Sequence, residues 1–221
     1  MFHFQKNICK KCREERSKHF PQIVESEKID GSFSPLFEGF SSLENEKSVR
    51  RVDCLIVSES IGNLKYHIAK IKGKEPWKFL KDYYMKDKLE TFNQQEIRKL
   101  LKAILRKGLN FYFTDVVKCF VKKGDEENFE LAVDYCTKYL KKQLEVLKPK
   151  IVILLGRKAE KAVFQKIFNR NKKLRHGGVI SLNGMKVIYS EFPSARNADR
   201  FVKGGGVNKL IKAISSCENR I

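Results

Sequence analysis

Ile151-Val152-Ile153-Leu154-Leu155, closed by Gly156, is the longest uninterrupted aliphatic run in the chain. Five apolar residues in a row, three of them β-branched, are too few for a buried helix. Lacking polar alternation, they read as a strand covered on both faces. Pro149 stops the helix before it, and Gly156 leads into a helix from Arg157 to Phe168. Working outward, Cys54 to Val57 is a second short apolar run, ending in the Gly-containing turn Ser58–Gly62. Asn110 to Val117 is aromatic and β-branched, hence a strand. The region from Pro76 to Lys107 reads as helical, with Ile97, Leu100, Leu101, Ile104 and Leu105 on one face and Gly108 as its close. Glu126 to Leu147 is a long amphipathic helix carrying Cys136. Val179–Leu182 and Lys186–Tyr189, joined by Asn183-Gly184, form a hairpin. A last helix, Val207 to Ser215, follows three glycines, and the polar stretch from about Ser17 to Val49 reads as loop.

Strands alternating with helices predict an α/β protein of three layers, α/β/α, around a central, mostly parallel sheet. Ligands of such sheets bind outside the carboxyl ends of the strands. Three segments reach that edge: Ser58–Gly62, Thr114–Cys119 and Tyr189–Ser194.

Charge narrows the partners. The 221 residues carry 46 Lys and Arg against 26 Asp and Glu, a formal net charge of +20. That excess attracts polyanions, nucleic acid first among them, although a lysine-rich solvated surface is the plain alternative. No apolar run approaches the roughly 20 residues needed to cross a bilayer. Met1 to Lys11 lacks the apolar centre of a secretory signal, so a cytoplasmic location is expected, with no membrane partner. Six cysteines in a reducing compartment point to metal binding more than to disulfides. Cys9 and Cys12 form a C-x2-C pair, Cys119 follows a strand, and Cys136 lies on the next helix. Four thiolates suit an iron–sulfur cubane or structural zinc, and spacing does not choose between them. Cys54 and Cys217 read as structural.

Several of these segments resemble the family-four uracil-DNA glycosylases, the iron–sulfur branch of that superfamily. Cys9-Lys10-Lys11-Cys12 is similar to the family's N-terminal cysteine pair, and Phe111 through Cys119 to its strand ending in Thr-Asn-Val-Val-Lys-Cys. Cys136, Tyr139-Leu140 and Leu147–Lys150 resemble its last ligand and the helix after it, and Ile151–Gly156 its strand ending in Leu-Gly. The resemblance implies one glycosylase-like domain over residues 1–221, with a cluster-binding segment at about 1–20. It implies a [4Fe-4S] cluster on Cys9, Cys12, Cys119 and Cys136, organising structure near the DNA surface. The partner would be lesion-bearing DNA, single- or double-stranded, bound by a monomer.

The departures bear on the chemistry. Where the family has Gly-Glu-(Ala/Gly)-Pro-Gly, Ser58-Glu59-Ser60-Ile61-Gly62 keeps the Glu and the last Gly. Asp115 stands in place of an Asn, and Phe192-Pro193-Ser194 in place of His-Pro-(Ser/Ala). Pro76-Trp77 is loosely similar to the Pro-Phe whose ring stacks on the base. Breaking an N-glycosidic bond needs a flipped nucleotide, a carboxylate to orient water and a donor for the departing base. The resemblance implies Glu59, Asp115 and Ser194 as catalytic, and Trp77, Asp115 and Phe192 as base-binding. Arg175, His176, Arg196 and Arg200 would meet DNA, with Lys118, Lys122, Lys123, Lys203 and Lys209 extending the track. Phe192 cannot donate, and an ionised Asp115 only accepts, which moves base preference away from uracil or weakens activity. The expected function is therefore a DNA-repair glycosylase that removes a flipped-out uracil or other deaminated or altered base. A catalytically weak or silent DNA-binding relative of the same fold is the alternative, and a zinc-stabilised nucleic-acid-binding module a third.

Overall fold

The computed structural model describes residues 40–42, 52–60, 84–85, 91–118 and 126–218. Its centre is a six-stranded sheet with strands β1 (Phe40–Ser41), β2 (Cys54–Ser60), β3 (Phe111–Val117), β4 (Ile151–Leu155), β5 (Val179–Leu182) and β6 (Met185–Ser190), in the order β1-β3-β2-β4-β6-β5. The inner four are parallel, and β1 and β5 close the two edges antiparallel. The Ile151–Leu155 run lies at the middle of this sheet, every residue buried, because both of its faces are covered.

Period-2 alternation sorts each strand's side chains between two cores. Cys54 and Ile56 of β2, Phe111 and Phe113 of β3, and Ile151, Ile153 and Leu155 of β4 point to one face. There they meet Ile97, Leu100, Leu101 and Ile104 of helix α1 (Phe92–Arg106) and Leu210 and Ile214 of helix α5 (Gly206–Glu218). Leu55, Val57, Val116, Val152 and Leu154 point the other way. They pack on helix α2 (Glu126–Leu147) and helix α3 (Arg157–Ala162), which runs on into a π-turn at Val163–Ile167. The architecture is thus the three-layer α/β/α arrangement predicted from the alternation of elements.

Several details differ from the sequence expectation. Strand β2 continues through Ser58, Glu59 and Ser60, where a turn is expected, because β3 runs alongside and pairs with it as far as Val117. Phe40–Ser41, inside the stretch read as loop, adds a two-residue edge to β3. Leu105, assigned to the apolar face of α1, is 39% exposed, since it sits one position past the buried Ile104. Helix α1 starts at a capping box in which Thr91 and Gln94 satisfy each other's backbone N–H. Helix α2 ends at Lys148, whose φ of 43° no longer continues the helix. Asn183 and Gly184, both at positive φ, make the tight hairpin turn. The segment Ala195–Lys203 is a 3-10 turn leading into the short helix α4 (Ala198–Lys203).

Connections from β2 and β4 leave on opposite faces, through α1 and α3, so the strand order reverses at the β2/β4 boundary. A crevice is expected at the carboxyl ends of the strands at such a boundary. The ends of β3 and β6 flank it.

Candidate active site

Ser58 and Asp115 are Cα partners in the parallel β2/β3 pair. By alternation they fall on the same face as Ile56 and Phe113, at its carboxyl end. The Ser58 hydroxyl donates to Asp115 Oδ1. Asp115 is 3% exposed, and burial pushes its carboxyl up to about 6. The Ser58 hydrogen bond and the Lys118 charge act in the opposite direction, and Glu59 adds to the rise. Asp115 Oδ2 has no hydrogen bond among the described residues. A buried carboxylate at a strand's carboxyl end, with one oxygen tied and the other without a hydrogen bond among the described residues, has an acceptor left for a ligand's N–H.

Lys118 is absent from any surface track. It is 1% exposed, and its ammonium donates to Thr114 Oγ1, to the Asp115 carbonyl and to Gln143 Oε1 at 3.0 Å. A buried cation among neutral oxygens needs a nearby negative charge, and Asp115 supplies one through space. Sequence reasoning put Lys118 on the DNA track and gave Ser58, within the Ser58–Gly62 edge segment, no role of its own. The signals were there: β3 is buried along its whole length, and Cys54, Ile56 and Ser58 share one period-2 face.

Glu59 takes the other side of the sheet. Its Oε1 lies 3.2 Å from Lys158 Nζ on α3, and that ammonium also reaches Glu126 Oε1 at 3.0 Å. The same Lys158 sits 4.2 Å from the centre of the Phe129 ring. The Glu59 side chain is 41% exposed, so the structure does not bring it onto the Asp115 face.

Across the β2/β4 boundary, Gly156 has φ 93° and donates to the Ser190 carbonyl at 2.8 Å. A Cβ there would lie 3.2 Å from Phe192 Cβ, so a glycine lets the 190–194 segment pass close to β4. Phe192 is partly buried against the α1/α5 core. The partly buried Ser194 uses its N–H on the Phe192 carbonyl at 2.8 Å, and its own carbonyl accepts from Asn197. Glu191 is buried and faces Arg157 at 3.5 Å. Arg157 also donates at 2.6 Å to Glu160 and to the Leu174 carbonyl, while stacking 3.9 Å over Tyr189. This network fixes the loop after α3 and offsets the Glu191 charge.

His176 is a clamp. Its Nδ1 accepts the Glu191 N–H at 3.1 Å, so Nε2 carries the proton and donates to the Gly206 carbonyl at 3.1 Å. Its ring is buried edge-on to Phe201, and burial lowers its pKa. The surface role expected for His176 therefore does not match its position. Arg175, Arg196 and Arg200 are exposed, as are Lys203 and Lys209. Lys209 lies across Gly177 and Gly205, where added Cβ atoms would come within 2.7 and 3.0 Å of it. That contact joins the 175–177 turn to the α4–α5 region in one basic surface.

Cys9, Cys12, Trp77, Cys119, Lys122 and Lys123 lie outside the described residues. Cys136 is buried on α2, within the same core as Val116 and Val117 of β3. Cys54 and Cys217 are buried in the opposite core, and burial pushes the Cys54 thiol up to about 12, which keeps it protonated. No helix among the described residues is long and apolar enough to cross a membrane.

The family model of the uracil DNA glycosylase superfamily matches residues 64–211. The chain belongs to that superfamily. The match takes in α1 through the first half of α5, and with them Asp115, Phe192 and Ser194. A Type-5 uracil-DNA glycosylase of Pyrobaculum aerophilum is 32% identical over 88 residues, which is 40% of this chain and 38% of that protein. The aligned part thus spans well under half the length of that curated relative.

Proposed function

We propose that this chain is a DNA glycosylase that hydrolyses the bond between deoxyribose and a flipped-out uracil or other deaminated or altered base. The observation that carries this reading is Asp115, a buried carboxylate at the carboxyl end of β3 whose Oδ1 is tied to Ser58 and whose Oδ2 has no hydrogen bond among the described residues. It occurs in a chain whose superfamily match surrounds it. Two carboxylates at the ends of neighbouring strands, in different environments, suit different tasks. Asp115 meets the base edge, while Glu59, paired with Lys158 on the α2/α3 face, orients the attacking water only after leaving that pair and turning over the strand end. The exposed Arg175, Arg196 and Arg200 hold phosphates, so affinity falls steeply with salt.

One observation favours the silent relative as second reading. Phe192 offers no donor to the departing base, and the Ser194 N–H is already given to the Phe192 carbonyl. Losing such a donor costs about 10²–10³ in rate. A panel of labelled oligonucleotides bearing uracil, hypoxanthine, xanthine or cytosine, with mass spectrometry of the released base, tests the choice. Release from at least one lesion supports the glycosylase. Salt-sensitive binding without release from any leaves the silent relative.

Cys9, Cys12, Cys119 and Cys136 are the proposed ligands of a [4Fe-4S] cluster of the family-four kind. Cys136 fits the role: it is buried beside the core that contains Val117, and Cys119 follows Val117 by two residues, about 7 Å of chain at most. When bound, such a cluster would tie the N-terminal segment to the strand end and take no part in hydrolysis. Brown, iron- and sulfide-containing protein after anaerobic purification is the expected result. Colourless, zinc-containing protein would favour the zinc module.

A further inference from the structure

The two oxygens of Asp115 are not equivalent. Oδ1 receives the Ser58 hydroxyl, whereas Oδ2 has no hydrogen bond among the described residues. Ser58 is fixed in turn by its place in the β2/β3 register. A serine hydroxyl has one proton; given to Oδ1, it leaves the pair nothing to donate outward. Lys118, from the other side, gives its protons to Thr114, Gln143 and the Asp115 carbonyl. The pair therefore presents an acceptor alone.

We infer that Ser58 and Asp115 act together as an acceptor-only reader of the base edge. The favoured substrates are then bases carrying an exocyclic amino group there, over the matching bases carrying a carbonyl oxygen. Asp115 is the specificity-determining residue and Ser58 its positioning residue. This rests on the reading above that the crevice holds an extruded base. On base edges, an amino group donates and a carbonyl only accepts, so a carboxylate discriminates between them by about tenfold or more.

Protonation reverses the polarity. The charges bearing on Asp115 are Lys118, which favours its ionised form, and Glu59 on β2, which opposes it. With the carboxyl near 6, Asp115 accepts at pH 8 and donates at pH 5. The preference then moves toward carbonyl-bearing bases as pH falls.

Two matched pairs isolate the effect: cytosine against uracil, and adenine against hypoxanthine, each differing in an amino group replaced by oxygen. Excision and binding are measured at pH 5 and pH 8. Binding uses duplexes whose 2′-fluoroarabino nucleosides resist cleavage. The wild type is expected to prefer the amino member at pH 8 by about tenfold, with the ratio collapsing at pH 5. Asp115→Asn should lose the pH dependence. Ser58→Ala should shift the crossover to higher pH, because a donor favouring the ionised form is gone, and Ser58→Thr should restore it. Amino preference in binding with no release from any natural base sinks the glycosylase reading and keeps this one. A carbonyl preference of equal size at both pH values, untouched by Asp115→Asn, overturns it.

Discussion

Asp115 and Glu59 sit at the ends of neighbouring strands, yet they live in different media. Asp115, on the α1/α5 face, is dry, tied to Ser58 and pushed up to about 6. Glu59, one residue beyond Ser58, points to the α2/α3 face, where it shares Lys158 with Glu126 in partial contact with water. A shift of one residue along a strand exchanges a buried environment for a wet one. Carboxyl chemistry here is set by the face on which the group lands.

Lys118→Ala strands a buried carboxylate and opens space beside Thr114 and Gln143, so it should cost about 3–5 kcal/mol in urea unfolding. Adding Asp115→Asn should recover part of that loss, and simple additivity would show that the two charges do not interact.

Next comes the pH dependence of Asp115 itself. Its folded-state pKa, raised from 3.8 to about 6, contributes stability that is present below pH 4 and lost as pH rises through 6. Asp115→Asn removes this dependence. The stability difference should therefore shift toward the variant by on the order of 2–3 kcal/mol between pH 4 and pH 7. A constant difference would mean that Asp115 titrates alike in the folded and unfolded chain.

Arg157→Ala leaves the buried Glu160 and Glu191 without their guanidinium, and about 2 kcal/mol is expected. Faster amide exchange around Leu174, whose N–H bonds to Glu160 at 2.6 Å, would localise the damage. Glu59→Gln should change stability by less than about 0.5 kcal/mol, as for exposed ion pairs. It should still slow excision by about 10²-fold if Glu59 orients water. An unchanged rate would remove Glu59 from the chemistry.

The layers of the fold were legible because uninterrupted apolar runs such as Ile151–Leu155 leave few ways to be buried, and because helical and strand periods differ. The ends of elements were less so. Ser58–Ser60 reads as a turn on local residue preference, but pairing with β3 holds it in the strand. His176 and Arg175 are adjacent in a basic, glycine-containing loop, and nothing local separates them. The carbonyl of Gly206 and the N–H of Glu191, thirty and fifteen residues away, claim one ring and leave the other side chain in solvent. Lys118 looked like one cation among many until Thr114 and Gln143 enclosed it.

Sequence alone determined which residues are chemically capable: the carboxylates, the cysteines, the missing histidine and the excess of positive charge. Which carboxylate is dry, which lysine is buried and which oxygen of Asp115 is tied to Ser58 came from the folded arrangement. Those properties depend on neighbours brought together across strand register and helix packing, and water is excluded by contacts that no local stretch contains.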